Sequence, residues 1–503
     1  MKNKKNILML PLDERPCNYL FPLRLLEDNP EYRLIMPERN RLGMMKKPAD
    51  PDYIKSFLLD HANEADIAVI SVDMLLYGGL LYGRLHHFTA EELSNRLSVL
   101  RTLKERNPAL RIYAFQLIMR CPQYSSSEEE PDYYEDCGRE IFLLGEAYHK
   151  RKLGLPVDEK LIAEYEKKTA GSLGDYLTRR KLNTDMNMRT VDLLGDVIDY
   201  LVIPQDDSSL YGFIKEDQQR IYGHVQKSGK EHLVQSYPGA DEVGMTLVCR
   251  AVLKDRGVCP SIKPIYNTEC VPQMVPKFED RELGQSLASQ IEAAGCRIAK
   301  ENEEADFILA VNGVEETQLE APMQESGECA YVKDRRLFDF VGRIGREIRA
   351  GKKVAVADIA YGNGGDLKLA SLLERAGISL DVLSYGGWNT SGNTLGTVIS
   401  AAALSAVFGR TEGMERFLAL RYYEDVGFCA HSRLYAAERL GDYGCGYRDL
   451  GNKGGEISEL VRNETQHYLG GLMPSLVSRY EINGCKMPWN RMFETEFEVN
   501  ARS

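Results

Sequence analysis

Asp199-Tyr-Leu-Val-Ile-Pro-Gln-Asp-Asp-Ser-Ser-Leu-Tyr-Gly212 decides the fold class and points to the chemistry. Its apolar run, 200–203, is too short for a helix, stops at Pro204 and opens into a Ser/Gly turn, which predicts a buried strand. Asp206 and Asp207 then leave the strand's carboxyl end, the edge where α/β sheets bind ligands. Two like charges side by side push their pKa values apart, so one becomes a candidate acid and the other a candidate anion. A purely structural alternative is an Asp/Ser turn bonding its own backbone.

Working outward, similar strand-like runs occur at 7–10, 34–36, 67–72, 112–118, 233–234, 262–266, 307–311, 354–360 and 380–383. Helical periodicity fills the gaps at 90–107, 279–294, 334–350 and 367–376, with Gly295 and Gly377 where C-terminal caps belong. Alternating strands and helices predict an α/β chain with a mostly parallel sheet, in TIM-barrel-like or Rossmann-like units. Residues 1–258 form the expected N-terminal unit, interrupted by a charged helical insertion at 125–198 that opens on Ser125-Ser-Ser-Glu-Glu-Glu130. Residues 259–410 form a second α/β unit, and 411–503 a helical C-terminal cap. One internal echo stands out: Glu64-Ala-Asp-Ile-Ala-Val-Ile-Ser-Val-Asp73 resembles Glu304-Ala-Asp-Phe-Ile-Leu-Ala-Val-Asn-Gly313.

The composition, 43% hydrophobic and 27% charged over 503 residues, is that of a globular protein of several domains. A net charge of −12 argues against nucleic acid as a partner. No apolar window suggests a membrane span or a secretory leader, so the expected location is cytoplasmic. Eleven cysteines are scattered without any Cys-x-x-Cys pair, and the expected state is the reduced thiol. His86-His87 is the one histidine pair, and no metal or cofactor is assigned. Self-association into a homo-oligomer is left open.

Polar residues crowd the other strand ends. Pro11-Leu-Asp-Glu-Arg-Pro-Cys-Asn18 offers Asp13, Arg15 and Asn18 as a substrate clamp, or Arg15 as a loop-pinning ion pair. Asp73 precedes two glycines that permit close approach. Asp241 and Glu242, in Tyr237-Pro-Gly-Ala-Asp-Glu242, join the candidate acids, with an acidic helix start as the structural alternative. Asn267, Asp358 and Asn363 continue the series. The glycine loop around Asn363 has neither dinucleotide nor Walker spacing, which disfavours a nucleotide. In Ser384-Tyr-Gly-Gly-Trp388-Asn389-Thr-Ser-Gly-Asn393, Trp388 would stack on a sugar ring while Asn389 and Asn393 bond its hydroxyls. The structural alternative there is a buried Trp with an Asn helix cap. Neither a Gly-x-Ser-x-Gly elbow nor a zincin motif occurs, so the expected chemistry is that of carboxylates.

The four strings Pro-Leu-Asp-Glu-Arg-Pro-Cys-Asn, Pro-Gln-Asp-Asp-Ser, Pro-Gly-Ala-Asp-Glu-Val-Gly-Met and Gly-Gly-Trp-Asn-Thr-Ser-Gly-Asn-Thr-Leu-Gly together resemble an uncharacterised bacterial family, a domain of unknown function. Asp206-Asp207 and Trp388-Asn389…Asn393 also resemble the O-linked N-acetylglucosaminidase type of glycosidase. That likeness implies that Asp206 orients the substrate acetamide and Asp207 is the general acid/base. The expected function is a carbohydrate-active hydrolase acting on a small glycoside, N-acetylated ones included. The alternatives are a divalent-metal hydrolase using Asp206, Asp207, Asp241 and Glu242, and a non-catalytic two-lobed sugar-binding protein.

Overall fold

An aspartate sets the start of a strand pair in three places. Asp66 accepts the Asn6 N–H at 2.8 Å, and its own N–H donates to the Asn6 carbonyl at 2.9 Å. Asp199 clasps Ile112 in the same way, at 2.8 Å in both directions. Asp306 clasps Ser261 at 2.7 and 2.9 Å. Each aspartate satisfies an N–H at the start of the neighbouring strand, which would otherwise lack a ladder partner. The echo between Glu64-Ala-Asp66 and Glu304-Ala-Asp306 is this device used twice.

The computed structural model describes residues 4–325, 331 and 335–502. Two compact units emerge. The first comprises Met1–Glu14, Glu31–Leu247 and Phe278–Arg281; the second comprises Arg15–Pro30, Val248–Lys277 and Glu282–Ser503. The boundary thus falls inside the helix Val243–Asp255, slightly before the expected residue 258. The segment 15–30, expected in the first unit, belongs to the second.

In the first unit, β1 (Lys5–Leu10), β2 (Tyr32–Ile35), β3 (Ile67–Ser71), β4 (Arg111–Phe115), β5 (Tyr200–Val202) and β6 (Val234–Gln235) form one parallel sheet. Its order is β2-β1-β3-β4-β5-β6. In the second, β7 (Ser261–Tyr266), β8 (Arg297–Ile298), β9 (Phe307–Asn312), β11 (Val354–Asp358) and β13 (Tyr385–Gly386) form a parallel sheet of order β8-β7-β9-β11-β13. Between them in sequence, β10 (Leu319–Glu320) and β12 (Tyr361–Gly362) make a separate two-stranded parallel pair. Counted from its own first strand, each main sheet runs second, first, third, fourth, fifth, and the first sheet adds a sixth strand beyond the fifth. This is the open, doubly wound order, which binds ligands at the carboxyl edge where the strand order reverses. Of the two architectures expected, the Rossmann-like one is present; neither sheet closes as a TIM barrel would. β3, β9 and β11 are buried throughout, as central parallel strands require.

Several expected elements differ in detail. The helix expected over 90–107 breaks at Ser98 into Ala90–Leu97 and Val99–Arg106. The run 380–383 joins the sheet only at its end, where Leu383 N–H donates to Val354 O at 2.7 Å, and the strand is Tyr385–Gly386. The helix expected from Asp334 is Leu337–Arg349; Asp334 itself lies outside the described residues. Every cysteine among the described residues is a free thiol.

The insertion is helical, with Tyr134–Lys152, Glu159–Thr169 and Leu173–Asp192 between β4 and β5. The C-terminal region is mainly helical, as expected, with Glu412–Arg421, Gly454–Leu472 and Pro474–Arg479 among its helices. It belongs to the second unit and ends in an antiparallel hairpin of β14 (Tyr480–Lys486) and β15 (Glu496–Ala501). Ile482, Phe497 and Val499 alternate with polar residues there, giving one buried face and one wet one. Helix Glu412–Arg421 continues into eleven π-helical residues, Tyr422–Ser432, a conformation uncommon beyond a single turn.

Candidate active site

The acid pair is held by backbone that remains part of the sheet. Beyond β5, Ile203 N–H donates to Gln235 O at 2.8 Å and Gln205 N–H to Tyr237 O at 3.1 Å. Gln205 also bridges Ile118 and Pro238 in parallel fashion. Asp206 and Asp207 are therefore the first residues free of the ladder. Asp207 turns the chain with φ +42°, a left-handed conformation that Asp tolerates better than most residues. Ser208 N–H then anchors to Phe278 O at 2.9 Å.

Two buried arginines meet this pair. Arg84 Nη2 donates to Asp206 Oδ2 at 2.7 Å, and Arg120 Nη1 to Asp207 Oδ2 at 3.0 Å. Glu129 and Glu130, from the acidic opening of the insertion, complete the group. Glu130 Oε1 accepts from Arg84 Nη1 at 3.1 Å and Arg120 Nε at 2.7 Å. Glu129 Oε2 accepts from Arg120 Nη2 at 2.8 Å and Arg84 Nη1 at 3.3 Å. Arg120 Nη2 also donates to the Tyr124 hydroxyl at 3.3 Å. Burial raises Asp207 to about 7, helped by the adjacent Asp206 charge and opposed by Arg120 and Arg84. Each carboxyl of the pair thus takes one arginine, and burial raises Asp207 against that pull.

One insertion helix, Leu173–Asp192, fixes both arginines through their backbones. Arg180 Nη1 and Tyr176 OH donate to the Arg120 carbonyl at 2.9 and 3.2 Å. Asn187 Nδ2 reaches Leu117 O at 3.2 Å. Asn183 Nδ2 donates to Gly83 O at 2.7 Å, next to Arg84, while its Oδ1 accepts from His86 Nε2 at 2.8 Å. His86 stacks between Tyr77 and Phe88, and burial lowers it to about 4, so the ring is neutral. Its other nitrogen, Nδ1, accepts the Phe88 N–H at 3.2 Å. His86, the buried member of the histidine pair noted in the sequence, is thus a structural prop for the Arg84 loop.

Asp73, at the carboxyl end of β3, joins Arg84, Arg120, Asn183 and Asp206 around a cavity of about 20 Å³. That is room for one water among polar partners. Leu117 N–H donates to Asp73 Oδ2 at 2.9 Å, and burial raises Asp73 to about 7. Asp73 and Asp206 thus line one cavity, and Asp207 is tied to it through Arg120. The arginines, Glu129, Glu130 and Asn183 were not among the expected site residues.

Other expected site residues are committed to packing. Glu242 is fully buried and raised to about 8 by burial, with its Oε2 accepting Ala240 N–H at 3.0 Å. Its Oε1 lies against Gly239 and lacks a hydrogen-bond partner. Asp241 beside it and Asp13 after β1 are buried. In the second unit, Arg15 lies 4.8 Å over the Trp489 ring and 4.0 Å from Glu494, the loop-pinning alternative, and Asn18 is buried. Asn267 ties the ends of β7 and β9, bonding Gly313 O at 3.0 Å and Gly313 N–H at 2.9 Å.

Asp358 is gripped by Tyr385 OH and Asp366 N–H, each at 2.7 Å, and by Asn312 Nδ2 at 2.9 Å. Burial and Asp366 raise it to about 7. Asn363 N–H donates to Asn389 O at 2.8 Å, and both asparagines have positive φ. A Cβ on Gly387 would stand 2.9 Å from Gly365 Cα, so the two glycine loops pack backbone against backbone. Trp388 spends its indole N–H on Thr397 at 3.2 Å and packs edge-on to Phe21. The helix cap there is Thr390, whose side chain accepts the Asn393 N–H, rather than an asparagine. Trp388, Asn389 and Asn393 thus belong to the second unit and Asp206-Asp207 to the first.

Fold and site define an α/β protein of two open parallel-sheet units, the first carrying a carboxylate–guanidinium cluster beyond the carboxyl ends of its strands. The chain belongs to the family described as "Protein of unknown function (DUF4127)", whose model matches residues 7–498. No curated protein matches it.

Proposed function

We propose that the first unit is the active site of a carbohydrate-active hydrolase in which Asp207 is the proton donor. The observation that carries this reading is the setting of Asp207, a buried carboxyl raised to about 7 beside a second carboxyl, with Arg84 on Asp206 at 2.7 Å and Arg120 on Asp207 at 3.0 Å. A carboxyl raised to about 7 is still partly protonated at neutral pH and can deliver that proton to a leaving oxygen. As the C1–O bond breaks, the proton passes from Asp207 to that oxygen, and the Asp206 charge stabilises the oxocarbenium-like centre. Water then adds to C1 and returns a proton to Asp207. With an acetamido sugar, the acetamide oxygen would take the place of water at C1 in the first step, and Asp206 would orient it. The metal-dependent alternative gains no support, because among the described residues no set of three or more His, Cys, Asp or Glu is arranged to hold an ion.

The test is Asp207→Asn across a panel of aryl and alkyl glycosides. The reading expects alkyl glycosides to lose turnover with binding intact. Aryl glycosides with acidic phenol leaving groups should be spared, since they need no proton. Saturable sugar binding without turnover by the unmodified protein would favour the binding-protein alternative instead.

A further inference from the structure

The loop that carries the acid pair is tied down at both ends. Ser208 N–H donates to Phe278 O at 2.9 Å, and Gly212 N–H donates to His149 Nδ1 at 3.3 Å. His149 lies on the insertion helix Tyr134–Lys152 and is buried. One turn earlier on that helix, Gly145 leaves space for Phe213; a Cβ there would stand 2.6 Å from the Phe213 ring. The helix thus grips two consecutive residues, Phe213 by packing and Gly212 by one hydrogen bond. Gly212 has φ +126°, a conformation that glycine adopts readily and other residues do not.

Because Gly212 offers an N–H, His149 Nδ1 must accept, and the neutral ring carries its proton on Nε2. That nitrogen is buried and has no hydrogen-bond partner among the described residues. A second proton would turn Nδ1 into a donor facing a donor and place a charge in a poorly solvated position. Burial accordingly lowers the His149 pKa; Glu216 opposes this, while Lys152 and Lys215 add to it. Of the other charges nearby, Glu146 pairs with Lys150, Glu159 with Arg151, and Glu166 accepts from the Tyr148 hydroxyl. Lys150 also lies 5.1 Å over the Tyr211 ring, which meets His149 edge-on.

We propose that His149 is a positioning residue that latches the acid-bearing loop through Gly212 and releases it when the imidazole takes up a proton. The inference rests on reading the acid pair as the active site, and it adds acid-side regulation to that reading. The sign follows from the lowered pKa: the latch is complete above the ordinary histidine value of about 6.5 and is lost as pH falls through the lower folded value.

The test is hydrogen–deuterium exchange of residues 206–213 in the full chain at pH 7.5 and pH 5, read as protection factors so that the intrinsic pH dependence of exchange cancels. His149→Asn keeps an acceptor close to the Nδ1 position and cannot take the proton. Asp207 also gains a proton over this range, a contribution that both proteins share. Protection at Gly212 is therefore expected to fall about tenfold further in the unmodified protein than in His149→Asn, the loss of one hydrogen bond. His149→Phe should lack that protection at both pH values. The loss should also share its midpoint with the His149 imidazole titration followed by NMR. Equal falls in the two proteins, no fall in the unmodified one, or a different midpoint overturns the inference. A working latch without turnover of any glycoside keeps it and removes the hydrolase reading. Asp207-dependent turnover with equal falls does the reverse.

Discussion

Arg84 Nη2 donates to Asp206 Oδ2 at 2.7 Å, joining residues 122 positions apart in the chain. Around this contact the β3–β4 connection, the insertion and the β5 loop share one charge network. Its members are only partly exposed, so removing one leaves its partners uncompensated in a poorly solvated place.

Arg84→Leu should therefore destabilise the protein by about 3–5 kcal/mol, the usual cost of stranding a buried charge. Arg84→Lys should recover part of that loss, because a single ammonium cannot span Asp206 and both glutamates. Urea denaturation of the two variants measures the difference. Arg84 also lowers the Asp207 pKa, so removing it should move Asp207 further above 7.

Asn183→Ala leaves the His86 Nε2–H and the Gly83 carbonyl without partners, for an expected loss of about 1–3 kcal/mol. If Asn183 positions Arg84, the Asp207 titration should shift in the same variant. A purely structural role would lower stability and leave that titration in place.

Glu242 gives a pH signature separate from the site. Its folded pKa is raised to about 8 from an unfolded value near ~4.3. The folded state thus holds the proton more tightly, and its stabilising contribution is complete below about 4 and lost as pH rises through about 8. Glu242→Gln mimics the neutral form and should remove that part of the alkaline loss. Melting temperatures at pH 5 and pH 9 should then differ less in the variant than in the unmodified protein.

Gly387→Ala should cost about 1–3 kcal/mol by overpacking, since the added methyl meets Gly365 backbone at 2.9 Å and the Asp358 carbonyl at 3.1 Å. Thermal unfolding measures it.

The sheet was legible because parallel strands write themselves as short apolar runs with polar carboxyl ends. Tyr200-Leu-Val and Phe307-Ile-Leu-Ala-Val are examples. The Glu-Ala-Asp echo was legible too, although its meaning, a clasp on the neighbouring strand, needed the pairing. Asp73, Asp206 and Asp207 could be named because they follow strands directly. Arg84 and Arg120 could not, because an arginine in a loop looks like any solvated charge until its partners are known. The acidic run at Glu128–Glu130 hinted at them, but nothing in its sequence says which cations it meets. The closing hairpin escaped because Tyr480-Glu-Ile-Asn-Gly-Cys-Lys is mixed in polarity and bulged between Ile482 and Gly484. Trp388 looked like a sugar platform because its neighbours are polar; several of those polar groups are in fact spent on the loop itself.

In the proposed reaction Asp207, raised to about 7 beside Asp206, is the proton donor. Carboxyl carbon-13 NMR titration of the aspartate-labelled full chain, assigned by difference with Asp207→Asn, tests it most directly. An Asp207 midpoint of about 7, absent from the variant, is expected. A midpoint near ~3.9, that of an ordinary aspartate, would contradict it.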